Sequence, residues 1–166
     1  MLKTQTKKHR EWSSRPIIII VIVCAVIILF FQLGKMFAPG SYPYAEWYKL
    51  NIDEPALIEI VKEFKRQTPI YDVPMQVRLE EGRRGKSDHW YHIYFYYPEE
   101  NQIIHSWIRQ NGTNETVLAF VGVNDGLYLG NWREINHDFS GSENREQKRM
   151  FEERILNKIK AGIPKK

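Results

Sequence analysis

Residues 90–109 read WYHIYFYYPEENQIIHSWIR, two runs of strand-forming residues on either side of a polar stretch. This pattern predicts an antiparallel β-hairpin whose turn is centred on Glu100 and Asn101. A slip of one residue would mix apolar and polar side chains on both faces, which favours this register. Three cross-strand pairs follow from it: Tyr96 with His105, Tyr94 with Trp107, and His92 with Arg109.

The two faces of this hairpin differ in chemistry. One face is apolar enough to pack against helices, and it carries Tyr91, Ile93, Phe95, Tyr97, Ile104, Ser106 and Ile108. The other face carries His92, Tyr94, Tyr96, His105, Trp107 and Arg109. Tyrosine, tryptophan and arginine are enriched at binding hot spots, so this second face is the candidate binding surface for a protein partner. The alternative is an ordinary half-solvated sheet face, on which aromatic residues stabilise cross-strand pairs.

Two helices are expected, one before and one after the strands. Asp53 is a good N-cap, and apolar residues recur at helical spacing from there as far as Thr68. Ser140 and Glu143 have the spacing of a capping box, and they begin a last helix that Gly162 ends.

Further strands are expected over residues 73–80, 116–123 and 127–135. The second of these is apolar on both faces, which predicts a central position in the sheet. The fold class is therefore α+β, a small two-layer domain. Its order is helix, four- or five-strand antiparallel meander, C-terminal helix.

A long apolar stretch precedes this domain. Residues 16–37 read PIIIIVIVCAVIILFFQLGKMF, close to the roughly 20 apolar residues that cross a bilayer as a helix. We expect a single uncleaved transmembrane helix, a signal-anchor; cleavage after Gly40, as in a signal peptide, is the alternative. The predicted organisation is a basic cytoplasmic tail at 1–15, a transmembrane helix at 16–37, an aromatic juxtamembrane stalk at 38–50, and an extracytoplasmic domain at 51–166.

The net charge of +4 comes from the N-terminal tail. Residues 1–15 hold five Lys and Arg against one Glu, which leaves nineteen basic and nineteen acidic residues in the rest of the chain. A balanced domain lacks the basic surface that nucleic-acid binding requires, so no nucleic acid is expected as a partner. Basic residues ahead of the span place the N-terminus in the cytoplasm and the domain outside it.

Cys24 is the only cysteine, and it lies within the apolar stretch. The outer domain therefore has no disulfide, which favours a bacterial inner (cytoplasmic) membrane over an oxidising eukaryotic lumen. Asn111 and Asn114 begin formal glycosylation sequons, which matter only in a secretory-pathway host.

Enzymatic and metal sites are not predicted. The outer domain has no nucleophile motif and no phosphate-binding loop, and no cofactor is expected. His92 and His105 could approach diagonally, with His137 and Asp138 joining them, but a zinc site needs three or four convergent ligands. We expect a membrane-anchored periplasmic protein-binding module, an envelope-complex subunit or a toxin-immunity type. The alternative is a tethered envelope enzyme or metal-binding domain whose His and Asp groups converge only in the fold.

Overall fold

The computed structural model describes the backbone of residues 15–37 and 42–164, and the side chains of residues 18–30 and 42–164. The chain divides into two units, Met1–Pro43 and Tyr44–Lys166. The second unit starts seven residues before the predicted domain boundary at residue 51. Residues 1–14 of the predicted tail and residues 38–41 of the predicted stalk lie outside the described part.

The first unit contains helix α1, Arg15–Phe37, which coincides with the apolar stretch. The side chains of residues 18–30 are all exposed. Over the described residues, no helix combines the length and the apolar character that crossing a bilayer requires.

The second unit is built on a five-stranded antiparallel sheet. The strands are β1 (Glu46–Leu50), β2 (Tyr91–Tyr97), β3 (Gln102–Gln110), β4 (Thr116–Asp125) and β5 (Trp132–Glu134). Strands β2, β3 and β4 are neighbours in that order, and both β1 and β5 pair with the other edge of β4. There β1 lies opposite residues 116–120 and β5 opposite residues 122–124. The expected α+β class and antiparallel sheet are confirmed.

The structure differs from the prediction in two segments, residues 73–80 and the stalk residues 46–50. Residues 73–80 are not a strand, and the prediction was wrong there: the chain forms a short 3-10 turn at Met75–Val77 instead. Pro74 has no amide hydrogen to give to a sheet, and Arg78 lies in the left-handed region at φ 56°, so neither suits an extended strand. The missing strand is β1, in residues that the sequence pattern assigned to the stalk.

The predicted helices are present. Helix α2 (Glu54–Gln67) follows Asp53 and stops at Thr68, as expected. The C-terminal helix runs through α3 (Gly141–Phe151), a π-helical turn (Glu152–Leu156) and α4 (Asn157–Ala161). The capping box is formed in full: the Ser140 hydroxyl accepts from the Glu143 N–H, and the Glu143 carboxylate accepts from the Ser140 N–H.

The hydrophobic core lies between the helices and the apolar face of the sheet. Both helices contribute aliphatic and aromatic side chains that are fully or almost fully buried: Leu57, Val61, Phe151, Ile155 and Ile159. The sheet contributes the predicted face of the hairpin together with residues of β4: Ile93, Phe95, Tyr97, Ile104, Ile108, Leu118, Phe120 and Val123. The helix and sheet layers of the prediction are therefore the two sides of this core.

A β-bulge in β4 lets that strand fill the core along its whole length. His105 pairs with Gly122 but Ser106 pairs with Phe120, so Val121 is the extra residue. With strict alternation, Phe120 and Val123 would point to opposite faces. The bulge brings both into the core.

The pairing of the β2–β3 hairpin is shifted by two residues from the prediction. Tyr94 pairs with His105 and His92 with Trp107, because the strands are joined by the four residues between Tyr97 and Gln102. A shift of two keeps every side chain on its expected face, so the faces are confirmed although the three predicted pairs were wrong.

Candidate functional site

Most of the predicted binding face is buried beneath other parts of the domain. Exposed fractions are 1% for His92, 2% for Tyr94, 8% for His105 and 2% for Trp107. Tyr96 is half-buried, and Arg109 alone of the six is exposed. These six side chains share one face, as predicted, but only its Arg109 end is open to solvent.

The cover is the segment between the 3-10 turns and β2, residues 81–90. Gly82 forms a two-way backbone bridge with His92, with both N–H···O distances at 2.9 Å. The Arg84 guanidinium donates to the Tyr94 hydroxyl at 2.8 Å. On the far side, the Trp132 ring of β5 lies 6.3 Å from the Tyr94 ring. We call residues 81–90 the cover segment.

Two histidines form the centre of the covered region. His92 Nδ1 lies 2.9 Å from His105 Nε2, and their rings stack at 5.2 Å. The Tyr94 ring stacks on His105 at 5.0 Å. The Asp88 carboxylate reaches the other nitrogen of His92, Nε2, at 3.3 Å. Asp88, His92 and His105 therefore stand in a line from the cover segment into the sheet.

Burial determines how these groups ionise. It lowers the pKa of His105 to about 3, and the neighbouring His92 and Arg84 act in the same direction. Burial and Arg84 also lower the pKa of His92, against the opposing pull of Asp88. Burial would raise the pKa of Asp88, but N–H groups from Trp90 and Arg84 and the contact with His92 hold it below its usual value. At neutral pH the cluster therefore contains two neutral imidazoles and one carboxylate.

The open end of the same sheet face carries an aromatic and cationic surface. Trp107, Ala119 and Trp47 lie in one cross-strand row, and Arg109, Val117 and Lys49 lie in the next. The Trp47 side chain is 53% exposed, and its ring meets the buried Trp107 ring edge-on at 5.8 Å. A shallow recess opens beside them, lined by Trp47, Trp107, Arg109, Gln110, Asn111 and Val117.

We call this surface the Trp47 recess. Its volume is about 30 Å³, the space that one water molecule or one small functional group occupies. Pockets for whole small molecules are about ten times larger. The Trp47 recess therefore suits one anchoring group of a larger partner.

A third group of polar residues lies elsewhere. Ligand atoms of Glu134, His137 and Asp138 lie within 4.8 Å of one another, and all three side chains are at least partly exposed. His137 and Asp138 thus converge with Glu134, and not with His92 and His105 as the sequence suggested. In the described part of the chain, this is the group that could hold a metal ion.

Sequence reasoning missed two features of the candidate site. Trp47 lies in residues 38–50, which were predicted to be an aromatic juxtamembrane stalk; in the structure Glu46–Leu50 is a strand whose positions alternate between more exposed and more buried. The cover segment has no periodic pattern, so its contact with His92 through Asp88 had no signal in the sequence.

Comparison of the chain with protein-family models, with curated proteins and with solved structures finds no match.

Proposed function

We propose that this chain is a membrane-anchored protein-binding module of the bacterial envelope, and that the Trp47 recess is its contact surface. The observation that carries the proposal is the half-exposed Trp47 indole, held edge-on against a buried Trp107 beside the exposed Arg109. Tryptophan and arginine are the side chains that most often dominate binding energy at protein interfaces.

The surroundings of Trp47 favour a role in binding. A large side chain that is already packed on one side loses little conformational freedom when a partner covers the other side. Ala119 pairs with Trp47, and Val117 lies in the next cross-strand row. Both are small, buried side chains, so the larger Trp47 ring projects beyond them. A partner that covers this ring buries apolar area around a rigid anchor.

The anchor part of the proposal rests on the sequence. Residues 16–37 are apolar apart from Gln32 and Lys35, and the basic residues 1–15 precede them. This arrangement favours a single span in the inner membrane with the N-terminus in the cytoplasm and the domain outside. An envelope-complex subunit or a toxin-immunity protein would use such an arrangement, because each must hold a binding surface at the membrane.

The test is capture of a partner by the tagged full chain from cross-linked membranes of the cell that makes it. We expect one protein that is retained by the native chain and lost with Trp47→Ala or with Arg109→Ala. Tyr128→Ala is the matched control, because Tyr128 is 89% exposed and lies beyond the opposite end of β4. Retention of the same proteins by all three variants would exclude the Trp47 recess as the contact surface.

The second candidate is a tethered envelope enzyme or metal-binding domain. The observation in its favour is that two groups of His and Asp residues do converge, one at His105 and one at His137. The first group is buried beneath the cover segment, and a general acid or base must reach its substrate. The second group is open and has three ligand atoms, so metal binding there is the stronger form of this alternative.

A further inference from the structure

We infer that the Trp47 recess takes a carboxylate from its partner, and that this carboxylate belongs to an acidic residue next to a large apolar residue that packs on Trp47. The inference rests on the proposed function and names the chemistry of the partner segment. Three features of the recess support it.

The first feature is the charge of the residues that line the recess. Arg109 is the one charged lining residue, and the others are aromatic, aliphatic or amide side chains. Lys49 adds a second cation in the same cross-strand row, on the other side of Val117. Glu115 offsets part of this charge, because it pairs with Lys49 at 3.4 Å and accepts a hydrogen bond from the Asn111 amide. The recess itself presents positive charge to a partner.

The second feature is the state of Arg109. Other arginines of the domain already hold carboxylates: Arg83 pairs with Glu54, Arg133 with Asp125, and Arg149 with Glu146. Among the described residues, the contact of Arg109 is with an aromatic ring, since its guanidinium lies 5.8 Å from the centre of the Trp90 ring. A guanidinium held over an aromatic ring keeps its N–H edge available for a carboxylate.

The third feature is size and neighbourhood. A recess of about 30 Å³ accepts a single group, and a carboxylate is a planar group of that size which two guanidinium N–H donors can hold. The Trp47 indole next to it offers apolar area for one large neighbouring side chain. Gln110 is fixed by hydrogen bonds to the Glu54 N–H and to the Gly112 carbonyl, both at 2.8 Å, so this wall of the recess is preformed.

The experiment uses the purified full chain in mild detergent and an array of immobilised peptides in a Gly-Ser background. Two adjacent positions vary: the first is Glu, Gln or Lys, and the second is Leu, Phe or Ser. We expect Glu followed by Leu or Phe to bind about tenfold better than the Gln version, the effect of one charge-assisted contact. We also expect Trp47→Ala to remove the preference for Leu or Phe over Ser.

Charge reversal supplies the decisive variant. Arg109→Glu should move the preference from Glu to Lys peptides, while Arg109→Gln should remove preference between them. Because Arg109 is exposed, we expect these substitutions to leave the fold intact, and the thermal transition of each variant checks this expectation. Equal binding of Glu and Gln peptides by the native chain, or no binding of any Glu peptide, overturns the inference. So does Arg109-dependent binding of a 12-nucleotide single-stranded DNA in place of the peptides, because the anion would then be a phosphate.

The outcomes separate this inference from the proposed function. If capture of the partner depends on Trp47 but is equal for Arg109→Glu and Arg109→Lys, the proposed function is supported and the inference of a bound carboxylate is refuted. If neither capture of a partner nor binding of a peptide depends on Trp47, both the proposed function and the carboxylate inference are refuted.

Discussion

Gly122 allows two neighbouring strands, β4 and β5, to pack closely. A Cβ atom at this position would lie 2.4 Å from the backbone oxygen of Arg133 in β5. Only glycine lets β5 approach β4 this closely, next to the bulge at Val121. The same approach places Trp132 over the covered face, where its ring lies 5.8 Å from the His105 ring.

Gly122→Ala should therefore destabilise the domain. Because backbone must move to admit the methyl group, we expect a loss of about 1–3 kcal/mol in the free energy of unfolding. That corresponds to a fall of roughly 3–15 °C in Tm, measurable by circular dichroism. The matched variant is Gly130→Ala, since no atom lies within 4 Å of a Cβ at that position. Equal Tm values for the two variants would contradict the role given to Gly122.

At the scale of elements, the cover segment and the sheet depend on each other. The segment is tied to β2 by the Gly82 bridge and to α2 by the ion pair between Arg83 and Glu54. Asp88 is the link to the histidine pair, through its contact with His92. Burial of the imidazoles thus depends on this segment remaining in place.

This dependence predicts loss of stability in acid. The folded-state pKa of His105 is about 3, whereas an unfolded histidine titrates near 6.5. Below about pH 6.5 the unfolded state takes up a proton that the folded state refuses, so stability falls as the pH drops from about 6.5 towards 3. His92, lowered in the same direction, adds to the slope, while Asp88 and Arg84 are the charged groups facing the pair.

The measurement is urea unfolding at pH 7, 6, 5 and 4 for the native chain and for His105→Leu. Each group that refuses a proton changes the folding equilibrium by up to roughly tenfold per pH unit, so the native chain should lose stability more steeply than His105→Leu. His89→Asn is the control, an exposed histidine within the cover segment. Parallel slopes for the native chain and His105→Leu would show that the pair does not control acid stability.

Local signals carried the prediction of α2, the C-terminal helix, β3 and β4. Caps, helical spacing and alternation each act within a few residues, so a sequence shows them directly. The pairing of β1 with β4 joins residues about 70 positions apart, and no local pattern encodes it. The hairpin register depended on the loop, where Asn101 adopts φ 51°, a detail that residue types alone do not give.

The candidate site was also predicted only in part. Arg109 and Trp107 were named, because strand parity places side chains on faces reliably. Burial of the other members was not predictable, since it depends on whether an aperiodic segment folds over them. Trp47 was missed because it lies in residues 38–50, which were assigned to a juxtamembrane stalk, and aromatic residues that follow a membrane span are common outside a folded sheet.

At the scale of the whole molecule, every member of the hydrophobic core among the described residues lies in the second unit. Its members run from Tyr48 to Ile163, and none comes from residues 18–30. The domain should therefore fold without the preceding helix, and the helix should serve for attachment alone.

Removal of residues 1–43 tests both statements. The shortened chain should be recovered in the aqueous fraction with the Tm of the domain in the full chain. The full chain should stay with membranes in alkaline carbonate, because residues 16–37 would be inserted. Ile22→Lys with Ile27→Lys is the control, since each lysine opposes insertion by about 3 kcal/mol at mid-membrane. Release of the native full chain by carbonate would refute the anchor.

The position of Trp47 on β1 has a mechanical consequence. Trp47 lies ten residues after Phe37, the last residue of α1, and β1 is the first strand after that helix. A pull between an anchored helix and a partner held at Trp47 would be carried by these ten residues. The part of the β1–β4 ladder beyond Trp47, where Tyr48 and Leu50 join the core, would lie outside this load path. The rest of the domain could bear tension at its attachment without being unfolded by it.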